Sequence, residues 1–496
     1  MRSRQPLLFL LLGSLTFAST ASRADPQPGA TPAAPEASMK PDDTLLGHWE
    51  GRLALPNGNS LRVLLDVTRG ADGALAATAD SPDQGARGLH VDSIRLDKDQ
   101  VDFTLAIGAA YQGTLNAAGD TLTGQWKQRG ASLPLEFHRG SATTAASTAA
   151  EPRRPQLPKP PLPYRAEEVS YENPAAHVKL AGTFIVPPGD GPFPAVLLLT
   201  GSGAQDRDET IFGHKPFLVL ADALARRGIA VLRVDDRGIG GSTGDFTKAT
   251  TEDFAGDALA GVAWLETRKE VDARRIGLVG HSEGAAVAPM AAVRSKDVAY
   301  LVLLAGPGLP GDQILLRQIT DLGHMLGKPE AELAKGLELE RRLLDLVKAE
   351  KDPDKLRARA RGLLEAHLKQ ASEAERKQVE AGGGVDAQLA QLTSPWFRFF
   401  VTYDPRPTLA RVKVPVLALT GEKDVQVSAK ENLPAIERAL KKGGNTRGVT
   451  RELPGLNHLL QTAKTGSPAE YGQIEETMSP AALTAIADFV LSIGGK

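Results

Sequence analysis

The stretch IGLVGHSEGAAVAP, residues 276–289, runs from an apolar, β-branched segment into Gly280-His281-Ser282-Glu283-Gly284 and then into small helix formers. A strand that must turn at once into a helix needs residues without bulk on either side of the turn, and Gly280 and Gly284 supply that. The residue between them sits on a strained bend at the start of a helix. There, backbone N–H groups and the helix dipole favour negative charge. This segment therefore implies a strand–turn–helix unit with an exposed serine at its apex.

Working outward, the same texture recurs. FPAVLLLTGSG (193–203), IAVLRVDDRG (229–238), VAYLVLLAG (298–306) and VPVLALTGE (414–422) are short, nearly continuous apolar runs. Such runs indicate strands buried on both faces, hence a parallel sheet. Between them, FLVLADALARRG (217–228) reads as a helix ended by Gly228. TEDFAGDALAGVAWLETRKE (251–270) reads as an amphipathic helix with Thr250 or Thr251 as N-cap. Strand–helix alternation predicts a doubly wound α/β domain over 165–496. The alternation is broken by a charged helical insertion at about 311–395, in which Leu333, Leu337, Leu343, Leu344 and Val347 recur at helix spacing. It ends in the aromatic run Trp396 to Phe400, of which Trp396, Phe397 and Phe400 are candidates for lining a substrate pocket.

The amino-terminal part differs. LRVLLDVTRG (61–70), GLHVDSIRLD (88–97), DQVDFTLAIG (99–108), AYQGTLNAAGD (110–120) and TLTGQWKQRG (121–130) alternate with period two between Gly, Asp and Asn punctuation. That pattern predicts a small antiparallel β domain, barrel or sandwich, over 44–140. A polar and then proline-rich linker follows at 141–164. Ahead of the β domain lies a Pro- and Ala-rich leader, 25–43. Ahead of that, Arg2 and Arg4 precede an apolar run from Leu7 to Leu12, with small residues leading to Ala24. Residues 1–24 read as a secretory signal peptide, which places the protein in the periplasm or outside the cell and leaves no membrane-spanning segment after cleavage.

Composition narrows the function classes. The 496 residues are 24% charged with a formal net charge of −2, a balance that gives no reason to expect nucleic acid as a partner. Without cysteine, disulfides, thiol catalysis and Cys-type zinc sites are excluded. No metal or organic cofactor is called for.

Gly280-His281-Ser282-Glu283-Gly284 matches G-x-S-x-G in its required setting, a strand before and a helix after. A serine hydroxyl needs a base to act as nucleophile at neutral pH. Of nine histidines, only His324, His367 and His458 follow Ser282. The first two fall in the charged insertion. His458 sits in the loop 453–458, ahead of a final helix carrying Leu483, Ile486, Phe489 and Val490, and is the expected base. The acid that orients it should follow a late strand; Asp424 is the first choice and Glu422 the second. The oxyanion donors are expected to be the backbone N–H groups of Glu283 and Ser202, the latter from the glycine-flanked loop after residues 193–199. The stretch Asp235-Asp236-Arg237 through Ser242 reads as a shaped loop with Arg237 tied to a nearby carboxylate.

Together, residues 199–217, 232–246, 277–289, 394–405, 417–427 and 453–461 resemble the α/β-hydrolase superfamily. The likeness is closest to exported bacterial esterase-like members related to the dienelactone-hydrolase, cinnamoyl-esterase and acyl-CoA-thioesterase branches. The resemblance implies an α/β-hydrolase fold with a helical cap and a Ser-Asp-His triad, falling here on Ser282, Asp424 and His458. The oxyanion loop departs from many relatives in having Thr200-Gly201 where they have His-Gly. The expected activity is cleavage of a small-molecule carboxylic ester through an acyl-enzyme. The same triad serves peptidases and thioesterases, and a non-catalytic glycan- or envelope-binding protein with a vestigial triad is the alternative from another class.

Overall fold

A computed structural model describes residues 41–54, 60–70, 73–81, 86–105, 109–128, 131–140, 153–381 and 383–494. The expected signal peptide and almost all of the leader lie outside them. The chain forms two compact units, each described by itself.

In the first, period-two alternation becomes eight antiparallel strands: β1 (Gly47–Ala54), β2 (Ser60–Arg69), β3 (Leu75–Ser81), β4 (Ala86–Asp97), β5 (Gln100–Leu105), β6 (Ala109–Leu115), β7 (Thr121–Gln128) and β8 (Ala131–Arg139). Each pairs with the next, and β1 also pairs with β8, Gly51 opposite Phe137, so the sheet closes into a barrel and leaves no edge. The inward residues are bulky: Trp49, Phe103, Tyr111, Trp126 and Phe137 are all buried. Phe103 stacks on Tyr111 at 5.0 Å and Tyr111 meets Phe137 edge-on at 5.2 Å. Two of their polar tips are paired with backbone, Trp49 Nε1 donating to the Leu45 carbonyl and Tyr111 Oη to that of Leu135. This barrel is a packed core.

The second unit begins with an antiparallel pair, β9 (Arg165–Asn173) and β10 (Val178–Val186). There follow β11 (Phe193–Leu199), α1 (Pro216–Ala225), β12 (Ala230–Val234), α2 (Thr251–Glu266), β13 (Val271–His281), α3 (Gly284–Ala292) and β14 (Tyr300–Leu304). Six helices come next along the chain: α4 (Gly311–Met325), α5 (Glu330–Ala349), α6 (Pro353–Gln370), α7 (Glu373–Ala381), α8 (Gly384–Leu392) and α9 (Pro395–Thr402), of which α7 and residues 384–388 of α8 fall in the first unit. The chain returns through α10 (Pro405–Arg411) to β15 (Val416–Gly421), α11 (Ala429–Lys442), β16 (Gly448–Leu453) and α12 (Pro480–Ser492). The strand order is β16-β15-β14-β13-β11-β12-β10-β9, parallel from β16 to β12. The continuous apolar runs are buried on both faces. Leu197 and Leu278 pack with α2, α3 and α11 on one side; Leu198 and Val279 pack with α1 and α12 on the other. Thr250 is the N-cap of α2, in a reciprocal capping box with Asp253. Among the described residues no helix is long and apolar enough to cross a membrane.

This topology gathers four loops at the carboxyl ends of the parallel strands: those after β11, β13, β15 and β16. Each carries one of the residues singled out in the sequence.

Candidate active site

The turn after β13 has the steric character its glycines imply. Ser282 adopts φ +51°, a left-handed conformation costly for a residue with a side chain. A Cβ on Gly280 would lie 2.1 Å from the Gly284 carbonyl oxygen, and one on Gly284 would lie 2.1 Å from that of Leu199. Only glycine fits either place. The Ser282 N–H donates to the Leu304 carbonyl at 2.8 Å, tying the turn to β14. Ser282 then opens into a cavity of about 140 Å³.

His458 lines the same cavity. It is buried, and its Nδ1 lies 2.8 Å from Asp424 Oδ2. The other Asp424 oxygen accepts the backbone N–H groups of Gln426 and Val427, both at 2.8 Å. Those two bonds aim the carboxylate at the imidazole. Glu422 faces elsewhere, accepting the Gly455 N–H at 2.8 Å. His324 is exposed on α4 and paired with Glu330, and His367 lies on α6.

Ser202 and Glu283 also line the cavity. The N–H of Gly201 is taken by Glu209 Oε1 at 2.6 Å. No acceptor among the described residues takes the N–H of Ser202 or of Glu283. The Thr200 hydroxyl donates to Asp236 Oδ1 at 2.7 Å, and the Gln205 N–H to Asp236 Oδ2 at 3.0 Å. Burial pushes the Asp236 carboxyl well above the usual range, against those hydrogen bonds. The loop after β11 is thus pinned from below by Asp236 and Glu209. Asp235 holds Arg207 through both its oxygens, and Arg237 pairs with Asp257 at 2.7 Å, so this glycine-rich loop is shaped by ion pairs.

The walls are mostly apolar: Ile211, Leu309, Ile314, Leu315, Trp396 and Phe400 among them. Trp396 and Phe400 stack with ring centroids 5.4 Å apart and planes within 2°. Phe397 does not line the cavity. It follows Trp396 by one helical residue, about 100° around α9, and is buried against the protein instead.

Several contacts in the wall were not apparent from the sequence. Trp396 Nε1 donates to Glu283 Oε1 at 2.8 Å, and so does Thr251 Oγ1 at 2.6 Å. Burial pushes the Glu283 carboxyl up despite both bonds. His281 Nδ1 lies 2.8 Å from Glu209 Oε1, and its Nε2 lies 3.0 Å from the His458 carbonyl oxygen. Burial opposes protonation of His281, but the Glu209 carboxylate, the His458 carbonyl and the Asp424 charge together outweigh it, and the net shift is upward. The available signal was the presence of Glu209 and His281 inside stretches already marked for their glycines. Among the described residues no group of three or more His, Cys, Asp or Glu is arranged to hold a metal ion.

A family model described as X-Pro dipeptidyl-peptidase (S15 family) matches residues 176–449, more than half of the chain. The chain belongs to this family. Membership places it in the α/β-hydrolase superfamily, the superfamily its sequence resembles. Esterase EstD of Thermotoga maritima is 29% identical over 313 residues, covering 62% of this chain and 65% of that protein. An uncharacterized protein of Mycobacterium tuberculosis is 35% identical over 125 residues, 25% of this chain and 41% of that one. The chain thus spans less than two thirds of the length of these relatives. Among solved structures, the Pyrococcus furiosus esterase Pf2001 aligns with a TM-score of 0.40 at 16% identity, covering 70% of this chain and 100% of that one. Est1E from Butyrivibrio proteoclasticus, solved with ferulic acid bound, aligns at 0.39 and 17%, covering 66% and 98%.

Proposed function

We propose that this S15-family chain hydrolyses carboxylic esters of small molecules through an acyl-enzyme formed on Ser282. One observation carries the reading: a strained serine turn and a buried Asp424–His458 hydrogen bond open into one largely apolar cavity. In this reading Ser282 Oγ attacks the acyl carbonyl while His458 Nε2 takes its proton. Asp424, on Nδ1, holds the tautomer that leaves Nε2 free to accept and stabilises the imidazolium. The N–H groups of Ser202 and Glu283 receive the oxyanion. His458 returns the proton to the leaving alkoxide, releasing the alcohol. Water, activated by the same histidine, then frees the acid. Helices α4, α5, α6 and α9 act as the cap, with α4 and α9 supplying Ile314, Leu315, Trp396 and Phe400 to an acyl or alcohol pocket. Export, read from residues 1–24, belongs to the same proposal.

The family match favours a second reading, cleavage of an X-Pro peptide by the same groups. The experiment that separates them uses purified wild type and S282A with p-nitrophenyl esters of increasing acyl length and with X-Pro p-nitroanilides. Ester turnover in wild type that falls by on the order of 10⁴ to 10⁶ in S282A is the expected result. Turnover of the anilides alone would establish the peptidase reading, and ester turnover surviving in S282A would refute both.

A further inference from the structure

Glu209 is buried, 3% exposed, and held at φ +52° in the loop after β11. Its Oε1 accepts the Gly201 N–H at 2.6 Å and meets His281 Nδ1 at 2.8 Å. The second ring nitrogen, His281 Nε2, lies 3.0 Å from the carbonyl oxygen of His458. A carbonyl only accepts, so Nε2 carries a hydrogen and donates it. The rings of His281 and His458 stand 5.0 Å apart. One side-chain pair therefore joins three backbone segments: the loop that bears Ser202, the residue before Ser282, and the loop that bears His458. None of these contacts uses a group that the hydrolytic steps consume.

We infer that Glu209 and His281 are positioning residues, a second buried acid–histidine couple that sets the base and the oxyanion loop in register with the serine turn. The inference rests on the reading of Ser282 and His458 given above. Asp424 orients the His458 ring, but the His458 backbone sits in a loop, and its carbonyl is held by His281. Gly201 is held by Glu209, and its neighbour Ser202 thereby presents its N–H beside Ser282. His281 belongs to the turn itself, whose backbone is tied to β14, so both loops are referred to one rigid point. Displacement of either loop by about 1 Å is enough to slow reaction on the order of 10²-fold. Glu209 in a left-handed conformation is consistent with a residue kept in place by what it holds rather than by its own preference.

The test exploits the two ring nitrogens. A glutamine amide nitrogen reaches the place of imidazole Nε2, whereas an asparagine nitrogen reaches only that of Nδ1. His281→Gln thus keeps the bond to the His458 carbonyl and gives up the one to Glu209, whereas His281→Asn does the reverse. Full-length wild type, H281Q, H281N and E209A are compared by the rate of Ser282 labelling with a fluorophosphonate, which needs the nucleophile, base and oxyanion donors but no particular substrate. For an ester that wild type turns over, kcat and KM are measured, with thermal melting to report folding. Each variant cuts one of the two links, so H281N, H281Q and E209A should all label on the order of 10²-fold more slowly, with kcat reduced alike and KM nearly unchanged. A near-normal rate in any of the three, or slowing that only tracks lost thermal stability, would overturn the inference, because the link removed would then be dispensable. A folded wild type whose Ser282 takes no label would overturn the triad reading first, and that outcome is visible before any variant is compared.

Discussion

Asp424 Oδ2 lies 2.8 Å from His458 Nδ1, although the two residues are on loops after different strands and both are buried. With both Asp424 oxygens already engaged, its carboxylate has one orientation. Asp424→Asn should preserve this geometry but present an amide to Nδ1, favouring the wrong imidazole tautomer. We expect kcat to fall by on the order of 10⁴ with KM little changed. Glu422→Gln should leave kcat near wild type, since Glu422 contacts the Gly455 N–H instead. Steady-state kinetics on one ester checks both, and a reversed ranking would move the acid to Glu422.

Identical substitutions at two glycines should have opposite signs. In Gly284→Ala the new methyl would sit 2.1 Å from the Leu199 carbonyl oxygen, on rigid strand backbone. The strand or the turn must move, at a cost of about 3 kcal/mol or more. Gly362→Ala, on the exposed face of α6, meets nothing within 4 Å. It should stabilise by up to about 1 kcal/mol, the helix-propensity difference. Denaturant melts of the two variants give the comparison directly.

Much of this site was legible because its signals are local. The glycines flanking Ser282 report a clash that occurs within five residues, and the loops bearing Asp424 and His458 each follow a short strand in order. Contacts between distant segments were not legible in the same way. Glu209 and His281 are 72 positions apart in the hydrogen bond that joins them, and neither residue type announces the other. Phe397 was misplaced for a related reason: an aromatic run names a helix but not its rotation, and the residue points away from the cavity that Trp396 and Phe400 line. The strand β9 went unread because it is an edge. Glu167, Glu168 and Glu172 face water or ion pairs there, so its alternation lacks the apolar run of the central strands. Closure of the β-domain was likewise open between barrel and sandwich, since the pairing of β1 with β8 joins the two ends of the domain.

Trp396 combines two roles that substitution can separate. It stacks on Phe400 and donates to Glu283. Trp396→Phe keeps an aromatic wall and removes the donor, whereas Trp396→Ala removes both. If this wall receives the acyl chain, W396A should raise KM for a long-chain ester about tenfold, the equivalent of 1.4 kcal/mol, and barely alter that for acetate. W396F should keep most of the chain-length preference. A uniform change across chain lengths would place the acyl group elsewhere in the cavity.

Two buried groups should bound the pH range of stability. Glu340 lies on the packed face of α5, between Leu337 and Leu344, with its Oε1 unpartnered. Burial pushes its carboxyl up to about 8. The folded protein therefore holds a proton that the unfolded chain releases near its ordinary value of 4.5. The associated stability is complete below that value and is lost as pH rises toward and through about 8. His214 acts at the other end. It is fully buried between the Thr477 hydroxyl and the Tyr471 carbonyl, and burial, aided by the charge of Arg154, lowers it to about 4. Its contribution is present above its ordinary 6.5 and is lost as pH falls from there toward about 4. Glu340→Gln should remove the alkaline decline and leave the acid limb intact, gaining a few kcal/mol relative to wild type at pH 9. Melting temperatures of both proteins from pH 4 to 9 test this. Parallel curves would mean that Glu340 finds water or a partner in solution and titrates normally.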